Sequence, residues 1–148
     1  MNVEFWENGV LFMEKLEFLD VIIGLFNFKE IMDENGNEYV FFERNPIKNI
    51  VNIQDKTEFE ALENHIHLLK NIKKNEVDEL VSLANKLGNM LFNALKYSFP
   101  NKYFYVYITI ALHGSFIVRF HQKWENEIPY YNVKDFDESK EIILVFEG

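Results

Sequence analysis

Residues 103–124 read YFYVYITIALHGSFIVRFHQKW, two apolar alternations joined by a glycine-containing turn, and their reading decides the fold. The first run puts Phe104, Val106, Ile108, Ile110 and Leu112 on one side and Tyr103, Tyr105, Tyr107, Thr109 and Ala111 on the other, the period-2 signature of a half-buried strand. The second alternates Phe116, Val118, Phe120, Gln122 and Trp124 against Ile117, Arg119, His121 and Lys123. A two-residue turn at His113-Gly114 would set Ile108 opposite Arg119 and Val106 opposite His121, mixing charge into the apolar side. A three-residue loop, His113-Gly114-Ser115, instead pairs Leu112 with Phe116 and Ile108 with Phe120, with Gly114 supplying a left-handed residue. Because one residue of slip turns every side chain over, burial selects the second register. It leaves an apolar face and an opposite face carrying Tyr103, Tyr105, Tyr107, Arg119, His121 and Lys123.

Outward from this hairpin, Phe5, Phe12, Leu16, Leu19, Ile23 and Phe26 recur at helical spacing and predict a helix over 3–26. Two short apolar runs flanking Asn35-Gly36 predict a small hairpin that ends at Asn45-Pro46, with residues 47–53 as a short strand or irregular edge. Thr57-Glu58-Phe59-Glu60 reads as a capping box, followed by a helical stripe of Phe59, Leu62, Ile66 and Leu69 that Lys73-Lys74 closes. A further stripe starts at Asn75-Glu76-Val77-Asp78 and runs toward Phe99-Pro100, so the centre holds two helices or one kinked helix. Ile142–Phe146 is apolar on both faces, as expected of a strand inside a sheet. The expected architecture is a single α+β domain over 1–148. It comprises an N-terminal helix, a small hairpin, central helices and a C-terminal antiparallel sheet whose apolar face those helices cover.

The chain has 148 residues, 48% of them hydrophobic, enough for a real core. It has no cysteine, which removes disulfide scaffolds, thiolate zinc sites and cysteine nucleophiles. Glu4 and Glu7 stand where a secretory leader needs a basic region, and no apolar run approaches the roughly 20 residues of a membrane span. A cytoplasmic protein without membrane attachment is the expectation. The net charge of −9 is uneven: residues 1–60 hold 13 acids and 5 bases, 61–124 hold 4 and 8, and 125–148 hold 7 and 2. Acidic ends repel phosphate, which argues against nucleic acid and favours a basic protein partner.

Three constellations are candidates for function. His65-Ile66-His67 lies inside a helical stripe, where that spacing points the two rings about 200° apart, so no metal site is expected. Arg119, His121, Tyr103, Tyr105 and Tyr107 could hold an anion or move a proton, but no nucleophile stands in a motif beside them. That face would serve a small-ligand or nucleotide-binding regulatory domain, or a homodimer contact, and otherwise it packs. The third is the aromatic and acidic segment with Trp124, Glu125, Glu127, Tyr130, Tyr131, Asp135 and Asp137, where aromatic anchors and carboxylates suit a Lys/Arg-rich protein surface. No cofactor is implied and no catalytic motif is found.

Ile117-Val118-Arg119-Phe120-His121-Gln122-Lys123-Trp124-Glu125-Asn126-Glu127, followed by Pro129-Tyr130-Tyr131, resembles the C-terminal part of small acidic immunity proteins from Firmicute polymorphic toxin systems of the LXG type. The resemblance covers the C-terminal third, and length and charge are similar over the whole. It implies a stoichiometric cytoplasmic inhibitor of a cognate toxin, a basic nuclease fitting best, with no catalytic residues to carry over.

Overall fold

A computed structural model describes residues 3–47 and 49–148, with side chains of the first helix from Glu14 onward. The chain runs through helix α1 (Val3–Gly24), strands β1 (Phe28–Met32) and β2 (Glu38–Phe42), helix α2 (Lys56–Glu63), strand β3 (His65–Leu69), helix α3 (Val77–Ser98), strands β4 (Phe104–Ala111) and β5 (Phe116–Gln122), and strand β6 (Glu141–Glu147). β1 and β2 form an antiparallel hairpin, and the larger antiparallel sheet has the order β3-β5-β4-β6. The α+β class and the sequence of N-terminal helix, hairpin, long helix and C-terminal sheet agree with the reading of the sequence.

The apolar face of the long hairpin is the core. Phe104, Val106, Ile108, Ile110, Phe116, Val118 and Phe120 are all buried, and α3 lies across them through Ala84, Leu91 and Leu95. Each such side chain contributes roughly 1.5–3 kcal/mol when taken out of water. α3 starts where the Lys73 N–H donates to the Glu76 carboxylate at 2.8 Å and where Asp78 and Glu79 face the positive end of the helix. It ends before Pro100, with Lys96 donating to the Lys102 carbonyl at 2.6 Å. Its approach to the sheet depends on Gly88, where a Cβ would stand 2.1 Å from the Phe146 ring.

The hairpin register differs from the expected one by two residues. Ile108 pairs with Val118 and Ile110 with Phe116, so the loop is Leu112-His113-Gly114. A shift of two keeps every side chain on its face, so alternation alone cannot tell the two registers apart. The left-handed residue is His113 (φ 62), not Gly114. Gly114 is needed for space: its N–H donates to the Ala111 carbonyl at 2.9 Å, and a Cβ there would meet that of Ala111 at 2.8 Å.

Residues 65–69 form a strand instead of continuing a helix. α2 is capped by Asp55, which accepts from the Glu58 N–H at 2.8 Å, so Thr57 is not the N-cap and Glu60 closes no capping box. The helix stops at Asn64, whose carbonyl accepts the Phe120 N–H, and β3 then pairs with β5. Ile66 and Leu68 pack on the core while His65, His67 and Leu69 are exposed, a two-residue alternation hidden under a helical pattern of equal length. Two further expectations change. β6 is an edge strand, apolar on both faces because α3 covers one and Phe136 and its neighbours line the other. Residues 47 and 49–53 form no strand, and residue 48 lies outside the described residues. At the 33–37 turn Gly36 alone is left-handed (φ 82), and Asp33 accepts the N–H groups of Asn35 and Asn37, both at 2.9 Å.

Candidate functional site

The sheet face opposite α3 carries Tyr105, Tyr107, Arg119 and His121, with Tyr105 across from His121 and Tyr107 across from Arg119. All four are buried, Tyr107 and His121 to 1% exposure. Residues 124–136 cover them: the Tyr131 ring meets Tyr107 edge-on at 5.0 Å and Phe136 at 5.2 Å, and the Arg119 guanidinium lies over Tyr130 at 4.7 Å and Tyr131 at 5.7 Å. The Arg119 Nη1 donates to the Ala61 carbonyl at 2.7 Å, while its Nε is buried without a partner. Tyr103 and Lys123 stay outside this layer, exposed, with the ammonium 5.2 Å from the ring centre.

His121 is held in one tautomer. The Tyr130 backbone N–H can only donate, and it reaches Nε2 at 3.2 Å, so the ring proton sits on Nδ1 and donates to the Gln122 carbonyl at 2.7 Å. The Tyr107 hydroxyl approaches the same Nε2 at 3.1 Å. Burial, opposed by that carbonyl, holds the imidazole down to about 4. Burial likewise pushes the Tyr107 and Tyr131 hydroxyls above the usual phenol range. Tyr107 and His121 are hydrogen-bonded to each other and buried beneath the covering segment. The arrangement is that of a second, polar core.

A polar knot that sequence reasoning missed sits at the end of β5. Glu60 and Asn64, one turn apart on α2, replace a strand between β2 and β5. Glu60 accepts the Val40 N–H at 3.0 Å, the Gln122 N–H, and the Gln122 side-chain amide at 2.7 Å. Asn64 accepts the Phe42 N–H at 3.1 Å and donates to the Val40 carbonyl at 2.8 Å. Burial pushes the Glu60 carboxyl up to about 7, against the hydrogen bonds from Gln122 and Val40. The signal in the sequence was the 60/64 spacing on a helix, but burial of a glutamate has no sequence signature of its own.

The aromatic and acidic segment is divided between structural and free residues. Trp124 packs on Tyr39 at 5.1 Å with the Lys56 ammonium 5.5 Å from its ring, and its indole N–H is buried without a well-aligned partner. Glu127 accepts the N–H groups of Thr57 at 2.7 Å and Lys56 at 3.3 Å and pairs with the Lys56 ammonium at 3.5 Å. Burial would raise its pKa, but those hydrogen bonds at the start of α2 hold it below the usual range. Tyr130 and Tyr131 belong to the lid. Glu125 and Asp135 are exposed, and so is Asp137, which closes its own turn on Ser139.

The fold brings further acids to the start of this segment. The Lys56–Glu127 pair sets the first turn of α2, with Asp55 and Glu58, beside residues 124–128. Tyr39 links Trp124 to the small hairpin, where its hydroxyl donates to Asp33 at 3.2 Å, and Glu34 accepts from Asn52. Asp33, Glu34, Asp55, Glu58 and Glu125 thus belong to elements joined through Tyr39, Trp124 and Lys56, an acidic corner of the molecule, and Ile128, one residue past Glu127, is 84% exposed.

His65 and His67 lie on one face of β3 with ring centres 5.5 Å apart, so the helical argument against their acting together does not hold. Among the described residues no three or more His, Asp or Glu side chains are grouped to hold a metal ion. At the other end of β5, an apolar groove of about 380 Å³ runs between α1, β3 and α3, lined by Phe18, Ile22, Leu69, Leu83, Lys86 and Met90 among others. Among the described residues no helix is long and apolar enough to cross a membrane. Comparison with protein-family models, with curated proteins and with solved structures gave no match.

Proposed function

We propose that this chain is a stoichiometric protein-binding inhibitor, an immunity protein that acts in the cytoplasm and neutralises a cognate bacterial toxin with a basic surface, such as a nuclease. The observation that carries the reading is the acidic corner: the carboxylates of the hairpin turn, the start of α2 and the 124–128 segment belong to elements joined through Tyr39, Trp124 and Lys56, and Ile128 in the last of these is exposed. Exposed carboxylates with an apolar side chain on the same segment suit a complementary protein surface, where the field speeds encounter and the anchor slows release. The reading as a small-ligand or nucleotide-binding domain depends on Arg119 and His121, which the lid covers. The test is co-expression with the product of an adjacent toxin gene. Rescue of growth together with a one-to-one complex supports the proposal, and neither rescue nor complex overturns it.

A further inference from the structure

The two edges of the larger sheet differ. β3, at one edge, is five residues long and its pairing shifts between His67 and Leu69. β6, at the other, pairs with β4 without a break over the seven residues Glu141–Glu147 and contains no proline or lysine. Short strands, bulges, prolines and lysines are how edges are kept from accepting another strand, and β6 has none of them. Phe104 and Gly148 exchange backbone hydrogen bonds at 2.9 and 3.1 Å, and the Leu112 N–H donates to the Lys140 carbonyl at 3.0 Å, which sets the phase of the ladder. Ile142, Leu144 and Phe146 therefore turn their N–H and C=O groups toward β4, and those of Ile143, Val145 and Glu147 point outward. Among the described residues these outward groups have no hydrogen-bond partner.

We infer that β6 takes an extended segment of a foreign protein as a fifth strand of the sheet, a segment apolar in its middle with Lys or Arg toward its ends. The inference rests on the reading of the chain as an inhibitor of a basic toxin, and it states which kind of toxin segment is bound. The charges at the strand ends select the occupant. A second copy, paired antiparallel over the whole strand, would set Glu141 against Glu147 twice, and like charges directly opposite each other disfavour pairing. Lys or Arg at the same two places pairs favourably. Between them the added strand meets Ile142, Ile143, Leu144 and Val145, all partly exposed. At the Glu141 end lies a cavity of about 340 Å³ lined by Val133, Phe136, Glu138, Glu141, Ile142 and Ile143. Apolar side chains beside two carboxylates suit the stem and the head of a long cation. Lys134 and Lys140 stand near that end, but Lys140 pairs with Asp137 at 3.8 Å, and residues 133–147 hold five acids against these two bases.

Amide hydrogen exchange by NMR, of the free chain and of its complex with the product of the adjacent toxin gene, reads the edge directly. The N–H groups of Ile143, Val145 and Glu147 should exchange freely in the chain alone and about tenfold or more slowly in the complex, while those of Leu144 and Phe146 are protected in both. Val145→Pro removes an N–H that the fold leaves unpaired and an added strand needs. The variant should keep its circular dichroism spectrum while the dissociation constant for the toxin rises about tenfold or more. Should the proline disturb the strand, the exchange pattern decides alone. A complex in which the three amides exchange as in the free chain overturns the inference and leaves the inhibitor reading standing, as does a folded Val145→Pro chain that binds like wild type. No complex at all overturns both. Protection of the three amides in the free chain at high concentration would make the occupant a second copy, which also overturns the inference.

Discussion

The Tyr130 backbone N–H donates to His121 Nε2 at 3.2 Å, and that bond ties the lid to the middle of the sheet. Protonating Nε2 would set two donors against each other in a dry site. His121 should therefore stay neutral in the folded protein down to about pH 4, against 6.5 for a free imidazole. A lowered folded pKa gives stability that is complete above pH 6.5 and is lost as pH falls through 4, on the order of 3 kcal/mol. Proton titration of the His121 ring by NMR checks this; a midpoint near 6.5 would show the lid open.

Glu60 has the opposite sign. Its carboxyl titrates at about 7 folded against 4.5 unfolded, so the folded state holds the proton longer and stability falls as pH rises between those values, again on the order of 3 kcal/mol. The two slopes oppose each other between about pH 4.5 and 6.5, and the wild-type unfolding midpoint should be nearly flat there. Glu60→Gln should make stability rise with pH over that window, and His121→Phe should make it fall. Urea unfolding at a series of pH values reads the slopes, and parallel profiles for all three proteins would refute the opposition.

These two residues also mark where the sequence stops being legible. Period-2 alternation located β4 and β5 and named the side chains of the core, because burial penalises a slip of one residue. A slip of two costs no burial, so the pairing waited on the Ala111–Gly114 turn and on Ile72, whose N–H and C=O pair with the Gly114 C=O and the His113 N–H. β3 was read as helix because Phe59, Leu62, Ile66 and Leu69 fit that period; Asn64, bonded to Val40, Phe42 and Phe120, breaks it through partners 22 to 56 residues away. Arg119 and His121 looked like surface chemistry because a charged alternation normally faces water. What buries them is a segment of irregular backbone whose path no local rule sets.

Gly88→Ala should destabilise. In an exposed helix the change would stabilise by up to about 1 kcal/mol, but here the new Cβ would stand 2.1 Å from the Phe146 ring. The clash has to push β6 off α3, at about 1–3 kcal/mol. Phe146→Leu in the same chain should recover part of the loss, and thermal unfolding of the three variants tests it. Equal stability of Gly88→Ala and wild type would mean that α3 does not lie this close to β6.

Ile108→Ala should cost about 2–5 kcal/mol, since the side chain is wholly buried between β5 and β6. A double-mutant cycle separates the two registers. Coupling of Ile108 should be larger to Val118, directly opposite, than to Phe120, which is one pair further along the same face. The reverse order would restore the three-residue loop at His113–Ser115.

Charge reversal distinguishes free carboxylates from structural ones. Glu127 holds the first turn of α2, so Glu127→Lys would disturb the fold and report little about a partner. Glu34→Lys, Glu58→Lys and Glu125→Lys change exposed groups instead. If a basic toxin meets the acidic corner, the triple variant should associate about tenfold more slowly at low salt and lose most of its salt dependence, with stability little changed. Association rates measured at two ionic strengths decide the matter. An unchanged rate would move the interface away from the corner, and a slower rate that ignores salt would point to a change in the local shape of the corner in place of lost steering.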